Sequence, residues 1–236
     1  MHPYDSGNRS EAGFSLIELM IAMTVTLVVM GLASSMIAQS FNIRSRENQR
    51  TEALGDAQRA LISITRDVAN AGLGLLNNGL VTGDSTATSI RIRSNLNGFT
   101  ETTQATDDAN EDIKYRLIND ANGQFIIRQD FTSASTTVLA NRVSGLTVRY
   151  FREKVDYTTD PATCAVTSPT PTNVTVGGAS VANDVAANPD LAKYVVIGVC
   201  VSLPAIGSSG VSGYQPASQI MLVSDAVLRN SSTSLY

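Results

Sequence analysis

A long run of apolar residues near the N-terminus is the first feature of the hydrophobic pattern. Between Leu19 and Ala38 no residue is charged. A helix of about 20 apolar residues is long enough to cross the hydrocarbon core of a bilayer, which is about 30 Å thick. We therefore expect residues 19–38 to span a membrane as a helix.

The helical pattern continues beyond the apolar run. Apolar residues recur at intervals of three and four along a stripe that comprises Leu54, Ala57, Leu61, Ile64 and Val68. No proline interrupts residues 14–71, and Gly72 is a typical residue at which a helix ends. The pattern predicts one continuous helix over residues 14–72, whose second half lays its apolar stripe against a sheet.

After the helix, apolar and polar residues partly alternate, as they do in half-buried antiparallel strands. Strands are predicted at 89–94, 112–118, 124–130, 136–140, 146–151, 193–203 and 219–228. The Asn122-Gly123 pair favours a tight turn and predicts a hairpin between the second and third of these. The last two segments are the most apolar, so we expect them to be central or closing strands. Residues 73–236 should form a β-rich head, which gives an α+β fold with a long helix packed on an antiparallel sheet.

Between residues 153 and 190 the sequence is of low complexity and rich in Thr and Pro. This predicts a long loop or a pair of weak edge strands. Cys164 lies within this stretch, and Cys200 lies in the apolar segment YVVIGVCVSL. An even pair of cysteines in an exported domain favours one disulfide. The alternative is two unpaired thiols, with Cys200 as a small buried hydrophobic residue.

Composition excludes several classes of function. The net charge of the 236 residues is −4 and no long basic stretch occurs, so nucleic acid is not an implied partner. The single histidine, His2, precedes the apolar run. The rest of the chain therefore lacks the residue needed for Ser-His-Asp catalysis and for histidine metal sites. No glycine-rich phosphate loop occurs, and we expect no enzyme activity, no cofactor and no metal.

An acidic stretch at residues 107–112 (Asp107, Asp108, Glu111 and Asp112, with Asn110) raises the question of calcium binding. Oxygen-rich loops of this kind bind calcium. The spacing departs from an EF-hand, because Ile113 replaces the turn glycine and Asn119 replaces the bidentate glutamate. We expect a solvated loop between strands.

Glu18 is a carboxylate at the start of the apolar run. A charge within a membrane segment is costly and marks a functional residue, unless it lies at the level of the headgroups. The sequence GFSLIE from Gly13 to Glu18 resembles the processing site of type IV prepilins and pseudopilins. Segment 1–13 is polar and lacks the apolar region of an ordinary signal peptide, which fits this resemblance.

The resemblance implies that segment 1–13 is a leader, which a prepilin peptidase removes by cutting after Gly13. The new N-terminal Phe14 would then be methylated. It also implies that Glu18 pairs with the N-terminal amine of a neighbouring subunit and sets the axial register of a filament. The implied fold is pilin-like.

The resemblance also implies an orientation. Arg44, Arg46 and Arg50 follow the apolar run, and this count alone would favour a cytoplasmic C-terminal side. The leader must face the cytoplasm to be cut, so we expect the opposite. The chain would cross the inner membrane once, in contact with its lipid and with the N-terminus in the cytoplasm. After assembly it would lie in a pilus on the cell surface.

The end of the helix offers a second resemblance. Asp67, Ala71 and Gly72 are placed as in PilW-type minor pilins. For Asp67 itself, a solvated residue or a salt bridge with Arg66 is the simpler interpretation. The resemblance implies a minor pilin, a structural subunit that primes a type IV pilus or lies near its tip. Its partners would be other major and minor pilins and the inner-membrane assembly platform.

Two other functions remain open. J-type minor pseudopilins of type II secretion have a similar helix end, so the chain could belong to a short periplasmic filament. It could instead be a membrane-anchored adhesin outside any filament, with the segment tethered by Cys164 and Cys200 as its binding surface.

Overall fold

The computed structural model describes residues 13–97, 105–121, 123–210 and 214–230. These residues form one α-helix, eleven β-strands and a short 3₁₀-helix. They are α1 (Leu16–Ala69), β1 (Ser89–Arg93), β2 (Asp112–Asp120), β3 (Gly123–Asp130), β4 (Ser135–Asn141), β5 (Val143–Phe151), β6 (Asp156–Asp160), β7 (Ala165–Thr170), β8 (Asn173–Val176), β9 (Ala179–Ala182), the 3₁₀-helix (Pro189–Leu191), β10 (Tyr194–Leu203) and β11 (Ser218–Val227).

The helix α1 contains 54 residues, which corresponds to about 81 Å at 1.5 Å per residue. Its end is set by Gly72, whose φ of +76° is a conformation that other residues rarely adopt. A Cβ at this position would lie 2.4 Å from the carbonyl oxygen of Asn77. Glycine is therefore required where the chain turns from the helix into the head.

Two antiparallel sheets form the body of the head. The first has the strand order β1-β2-β3-β4 and the second has the order β11-β10-β5. Every residue of β10 is buried except Ser202, since this strand lies in the middle of its sheet and is covered on both faces. This confirms the α+β architecture that the pattern of the sequence predicts.

Of the two predictions for residues 153–190, a long loop is wrong and short strands are present. The segment contains two separate hairpins, β6–β7 and β8–β9. The first covers one face of the second sheet, where Val166 packs in a cluster with Phe151 and Tyr194. Low complexity hid these strands because most of their residues are exposed, so no apolar alternation marks them.

The C-terminal half of α1 lies on the opposite face of the second sheet. The predicted stripe forms the contact, with Ala57, Leu61, Ile64 and Val68 buried and Leu54 packed beside them. Alternate β10 residues, Val195, Ile197, Val199 and Val201, complete this core. Helical spacing on one side and strand alternation on the other therefore meet in one apolar layer.

Strand β11 runs beside α1 and in the same direction. Near its start, Arg46 of α1 donates hydrogen bonds to the carbonyl of Pro216 and the hydroxyl of Ser218. Just after its end, the N–H of Arg229 donates to the carbonyl of Ala69 at 3.4 Å. These contacts fix the direction of the head relative to the helix.

Candidate functional site

The N-terminal half of α1 lies outside the body of the head. Its apolar side chains are exposed throughout, from Phe14 at 83% exposed to Ile43 at 44%. The helix is long and apolar enough to cross a membrane, and none of its most apolar window is buried. Such a surface requires a partner other than water, which is either lipid or other apolar helices.

Three hydroxyl groups in the apolar half are satisfied within the helix. Thr24 donates to the carbonyl of Ile21 at 2.8 Å, Thr26 to that of Ala22 at 2.7 Å, and Ser35 to that of Leu32 at 2.8 Å. A hydroxyl that bonds to the preceding turn does not expose a polar group to hydrocarbon. These three hydroxyl groups are therefore compatible with a bilayer.

Gly13, Phe14 and Glu18 lie at the exposed start of the helix. Ser15 caps α1 through its backbone, since its carbonyl accepts hydrogen bonds from the N–H groups of Glu18 at 3.0 Å and Leu19 at 3.1 Å. No described residue bonds to the Glu18 carboxylate within this chain. A Cβ on Gly13 would meet no atom within 4 Å, so nothing in the described fold requires a glycine there.

The end of α1 is tied to the first sheet by Asp67. The hydroxyl of Tyr115, on β2, donates to Asp67 Oδ2 at 2.5 Å, while Arg66 Nε donates to Oδ1 at 3.1 Å. Burial and the nearby carboxylate raise the pKa of Tyr115 above its ordinary value, so this hydroxyl stays a donor. The expected bridge with Arg66 is present, but Asp67 is not simply solvated. The sequence does carry a signal for the contact with Tyr115. This tyrosine lies within a partly apolar strand, and a buried hydroxyl needs an acceptor such as Asp67.

In the sequence, Arg46 is only a charge beyond the predicted membrane span. In the structure its side chain is buried against the segment that precedes β11. The guanidinium bonds to a carbonyl and a hydroxyl but to no carboxylate among the described residues. It joins the helix to the head close to the predicted membrane surface.

The acidic stretch at 107–112 is only in part the solvated loop that the sequence predicts, because residues 107–110 are exposed and Glu111 and Asp112 are not. Glu111 is buried and accepts the N–H groups of Leu96 at 2.6 Å and Asp108 at 3.1 Å. Asp112 is also buried and accepts from Arg91 and Arg93 at 2.7 and 2.9 Å. Glu111 therefore fixes the backbone at Leu96 and Asp108, and Asp112 ties β2 to the arginines of β1. Asp107 and Asp108 remain exposed.

Cys164 and Cys200 are joined by a disulfide in the structure, with their Cα atoms 5.9 Å apart. Cys200 is on β10 and completely buried, whereas Cys164 lies in the turn between β6 and β7. The bond attaches the β6–β7 hairpin to the face of the second sheet. Gly145 allows this approach, since a Cβ there would lie 2.6 Å from Cys164 Sγ.

Within the described parts of the chain, no group of three or more His, Cys, Asp or Glu residues is placed to hold a metal ion. One surface groove is lined by side chains that already form the structural contacts above, among them Asp67 and Arg66. The chemically distinctive site is thus the exposed N-terminal helix with Gly13, Phe14 and Glu18.

Comparison with known proteins supports this choice of site. Residues 8–34 match the family model described as the prokaryotic N-terminal methylation motif. No curated protein and no solved structure matches the chain. The motif, together with a long, exposed apolar helix on a β-rich head, supports a place for this chain in the type IV pilin-like family of structural subunits, which includes pseudopilins.

Proposed function

We propose that this chain is a minor pilin, a structural and assembly subunit of a type IV pilus that primes the filament or lies near its tip. One observation supports the proposal above the others. The apolar half of α1 is exposed along its length, overlaps a methylation motif at residues 8–34, and carries a carboxylate, Glu18, that has no partner among the described residues. A subunit of this form is complete only among other helices of its kind.

The N-terminus supports the processing step of this proposal. A prepilin peptidase cuts between Gly13 and Phe14, and the new amine of Phe14 is methylated. The fold does not require a glycine at position 13, so the absence of a side chain is explained by the approach of the peptidase. Phe14 is exposed and available for modification.

Glu18 supports the assembly step. The carboxylate is costly for a monomer in lipid, and a charge in hydrocarbon needs an opposite charge or hydrogen bonds. In the proposed filament it pairs with the amine of Phe14 of a neighbouring subunit. The cost to the monomer is thereby offset by a gain that exists only in the assembled state.

The end of the helix supports the minor-pilin assignment over a general pilin. Asp67, Ala71 and Gly72 are placed as in PilW-type minor pilins, and each makes a specific structural contribution here. Asp67 bonds to Tyr115, Ala71 is buried and Gly72 adopts its positive φ. Before assembly the chain would reside in the inner membrane, with the assembly platform and other pilins as its partners.

The decisive experiment is intact-mass analysis of the full chain purified from its native membrane, combined with mass spectrometry of sheared filaments. We expect a chain that begins at methylated Phe14 and is present in the pilus fraction. Gly13→Leu should block cleavage. Gly31→Leu is the matched control, because Gly31 also has no close neighbour in the fold and lies away from the cut.

Three outcomes would contradict the proposal in different ways. Retention of residues 1–13 in cells with active peptidase rules out processing. A cleaved chain found only with secretion components favours the type II pseudopilin. An uncleaved chain that is absent from every filament favours a membrane-anchored adhesin.

A further inference from the structure

The outer edge of β11 is open. The backbone N–H of Ser202 in β10 donates to the carbonyl of Arg142, beside β5, at 3.3 Å. The backbone N–H of Leu228 donates to the carbonyl of Lys193, on the β10 side, at 2.9 Å. Backbone groups alternate between the two sides of an antiparallel strand. These bonds therefore direct outward the N–H and C=O groups of Gln219, Met221, Val223, Asp225 and Val227. No described residue makes a backbone hydrogen bond to these five residues on that side.

This edge lacks the features that usually prevent strands from pairing. Natural edges are short, bulged, or protected by proline and lysine. In contrast, β11 pairs with β10 over ten residues without a register shift. Its sequence SQIMLVSDAV contains no proline and no lysine, and Asp225 is its single charged residue. A long, regular and largely apolar edge is well suited to receive another strand.

An open groove of about 380 Å³ lies between β11 and α1. Ile62, which is 65% exposed, provides an apolar wall on the helix side. Thr65 Oγ1 is buried there and has no hydrogen-bond partner among the described residues. Arg66 and Arg229 line the groove and give it positive charge. The groove thus offers apolar contact and two guanidinium groups beside the open edge, of which Arg66 also pairs with Asp67 through its Nε.

We propose that β11 receives an extended segment of a different pilin-like subunit, which adds a fourth strand to the β11-β10-β5 sheet. The five outward residues supply the backbone hydrogen bonds, and alternate side chains of the incoming strand enter the groove. An acidic residue of that strand meets Arg66 and Arg229. This inference rests on the proposed function, because it takes the partner from the same filament.

The direction of β11 argues against its pairing with β11 of a second copy of this chain. The two-fold pairing of identical β11 edges would be antiparallel. Because β11 runs with α1, such a pair would point the two membrane helices in opposite directions. Two copies inserted in one membrane cannot satisfy this arrangement. A segment of another subunit has no such restriction.

The first test is photo-cross-linking of the full chain in its native cells, with a photoreactive amino acid in place of Val227. This side chain is 57% exposed at the outward edge. Val138, which is 49% exposed on β4 of the other sheet, is the matched control position. We expect an adduct with another pilin-like subunit from position 227 and at least tenfold less from position 138. No adduct, or an adduct with a second copy or an unrelated protein, overturns the proposal.

The second test removes one outward donor. Val223→Pro deletes an N–H that points away from the sheet, a placement that edge strands tolerate, and Val223→Thr retains it. We expect the proline variant to lower the Val227 adduct by at least tenfold and the threonine variant to leave it within twofold. Equal yields overturn the proposal. If the proline variant fails to accumulate, the photoreactive amino acid is placed at position 225 instead, in chains with and without Val227→Lys. We expect Val227→Lys to lower the adduct from position 225 by at least tenfold, and equal yields overturn the proposal.

Leader cleavage and presence in sheared filaments are scored on the same samples. A cleaved, incorporated chain without the adduct overturns the edge pairing but leaves the proposed function intact. An uncleaved chain that still forms the adduct overturns the proposed function instead.

Discussion

Removal of the disulfide should destabilise the head by an amount that follows from the length of the loop it closes. Cys164 and Cys200 are 36 residues apart. In the chain-entropy model, a loop of this length lowers the entropy of the unfolded chain by about 13 cal/mol/K, or about 4 kcal/mol at room temperature. For a protein of this size that corresponds to a fall in Tm of about 8 to 16 °C.

The folded state should survive the loss, because other contacts hold the β6–β7 hairpin. Thr147 donates its hydroxyl to the carbonyl of Cys164, and Arg149 donates to the carbonyl of Val166 at 3.1 Å. Val166 is also buried. The expected change is therefore lower stability with the native fold retained.

The assay is thermal unfolding of the full chain in detergent, followed by circular dichroism with and without reductant. The wild type should lose stability in reductant, and Cys164→Ser/Cys200→Ala should match the reduced wild type and not respond to reductant. Thiol labelling of the unfolded protein reports whether the bond was present. A wild type whose Tm is unchanged while labelling shows both thiols reduced would refute the reasoning.

Three further predictions concern Glu18, Tyr115 and Asp130. Glu18→Leu should leave membrane insertion and leader cleavage intact but reduce recovery in sheared filaments by more than tenfold. The reason is that the charge pair proposed for the filament would be broken, and breaking a buried pair costs about 3–5 kcal/mol. Wild-type recovery would contradict an assembly role. Tyr115→Phe removes the donor to Asp67 and should lower the free energy of unfolding by about 1–3 kcal/mol, whereas Tyr157→Phe, whose hydroxyl makes an exposed and longer contact, should change it by much less. Asp130 loses hydration on burial, which raises its pKa, but hydrogen bonds from Thr132, Asn110 and Ser133 outweigh this and hold the pKa at about 2. Its contribution is therefore complete above about pH 4 and lost as the pH falls towards 2, and Asp130→Asn should flatten the acid limb of a stability profile measured by denaturant unfolding.

Several elements could be predicted from sequence because their signals are local. The apolar run and the stripe from Leu54 to Val68 specify a helix through spacing alone, and α1 extends to Ala69. The predicted strands at 112–118 and 193–203 correspond to β2 and β10 within two residues at each end. The turn predicted at Asn122-Gly123 joins β2 and β3, with Asn122 itself outside the described residues. Patterns of this kind depend only on residues that are close together in the sequence.

Polar partners could not be predicted in this way. The sequence suggested a solvated residue or a bridge with Arg66 for Asp67, and a solvated loop for Glu111. The fold adds a tyrosine to the partners of Asp67 and gives Glu111 two backbone N–H groups. Arg46 is a charge near a membrane in sequence but a buried contact in the structure. A hydrogen-bond partner is chosen by distance in space, so residues far apart in the chain decide it.

The sequence by itself therefore determined the long helix, its apolar half, the α+β class and the Gly13-Phe14 motif, since each depends on composition or periodicity within one segment. Only the tertiary structure decided that two hairpins form between residues 153 and 190, and that β11 stands at the outer edge of its sheet beside α1. Strand order and edges arise from which segments pair after the chain has folded. An open edge is a property of the whole sheet, and no pattern within β11 distinguishes it from a strand in the middle.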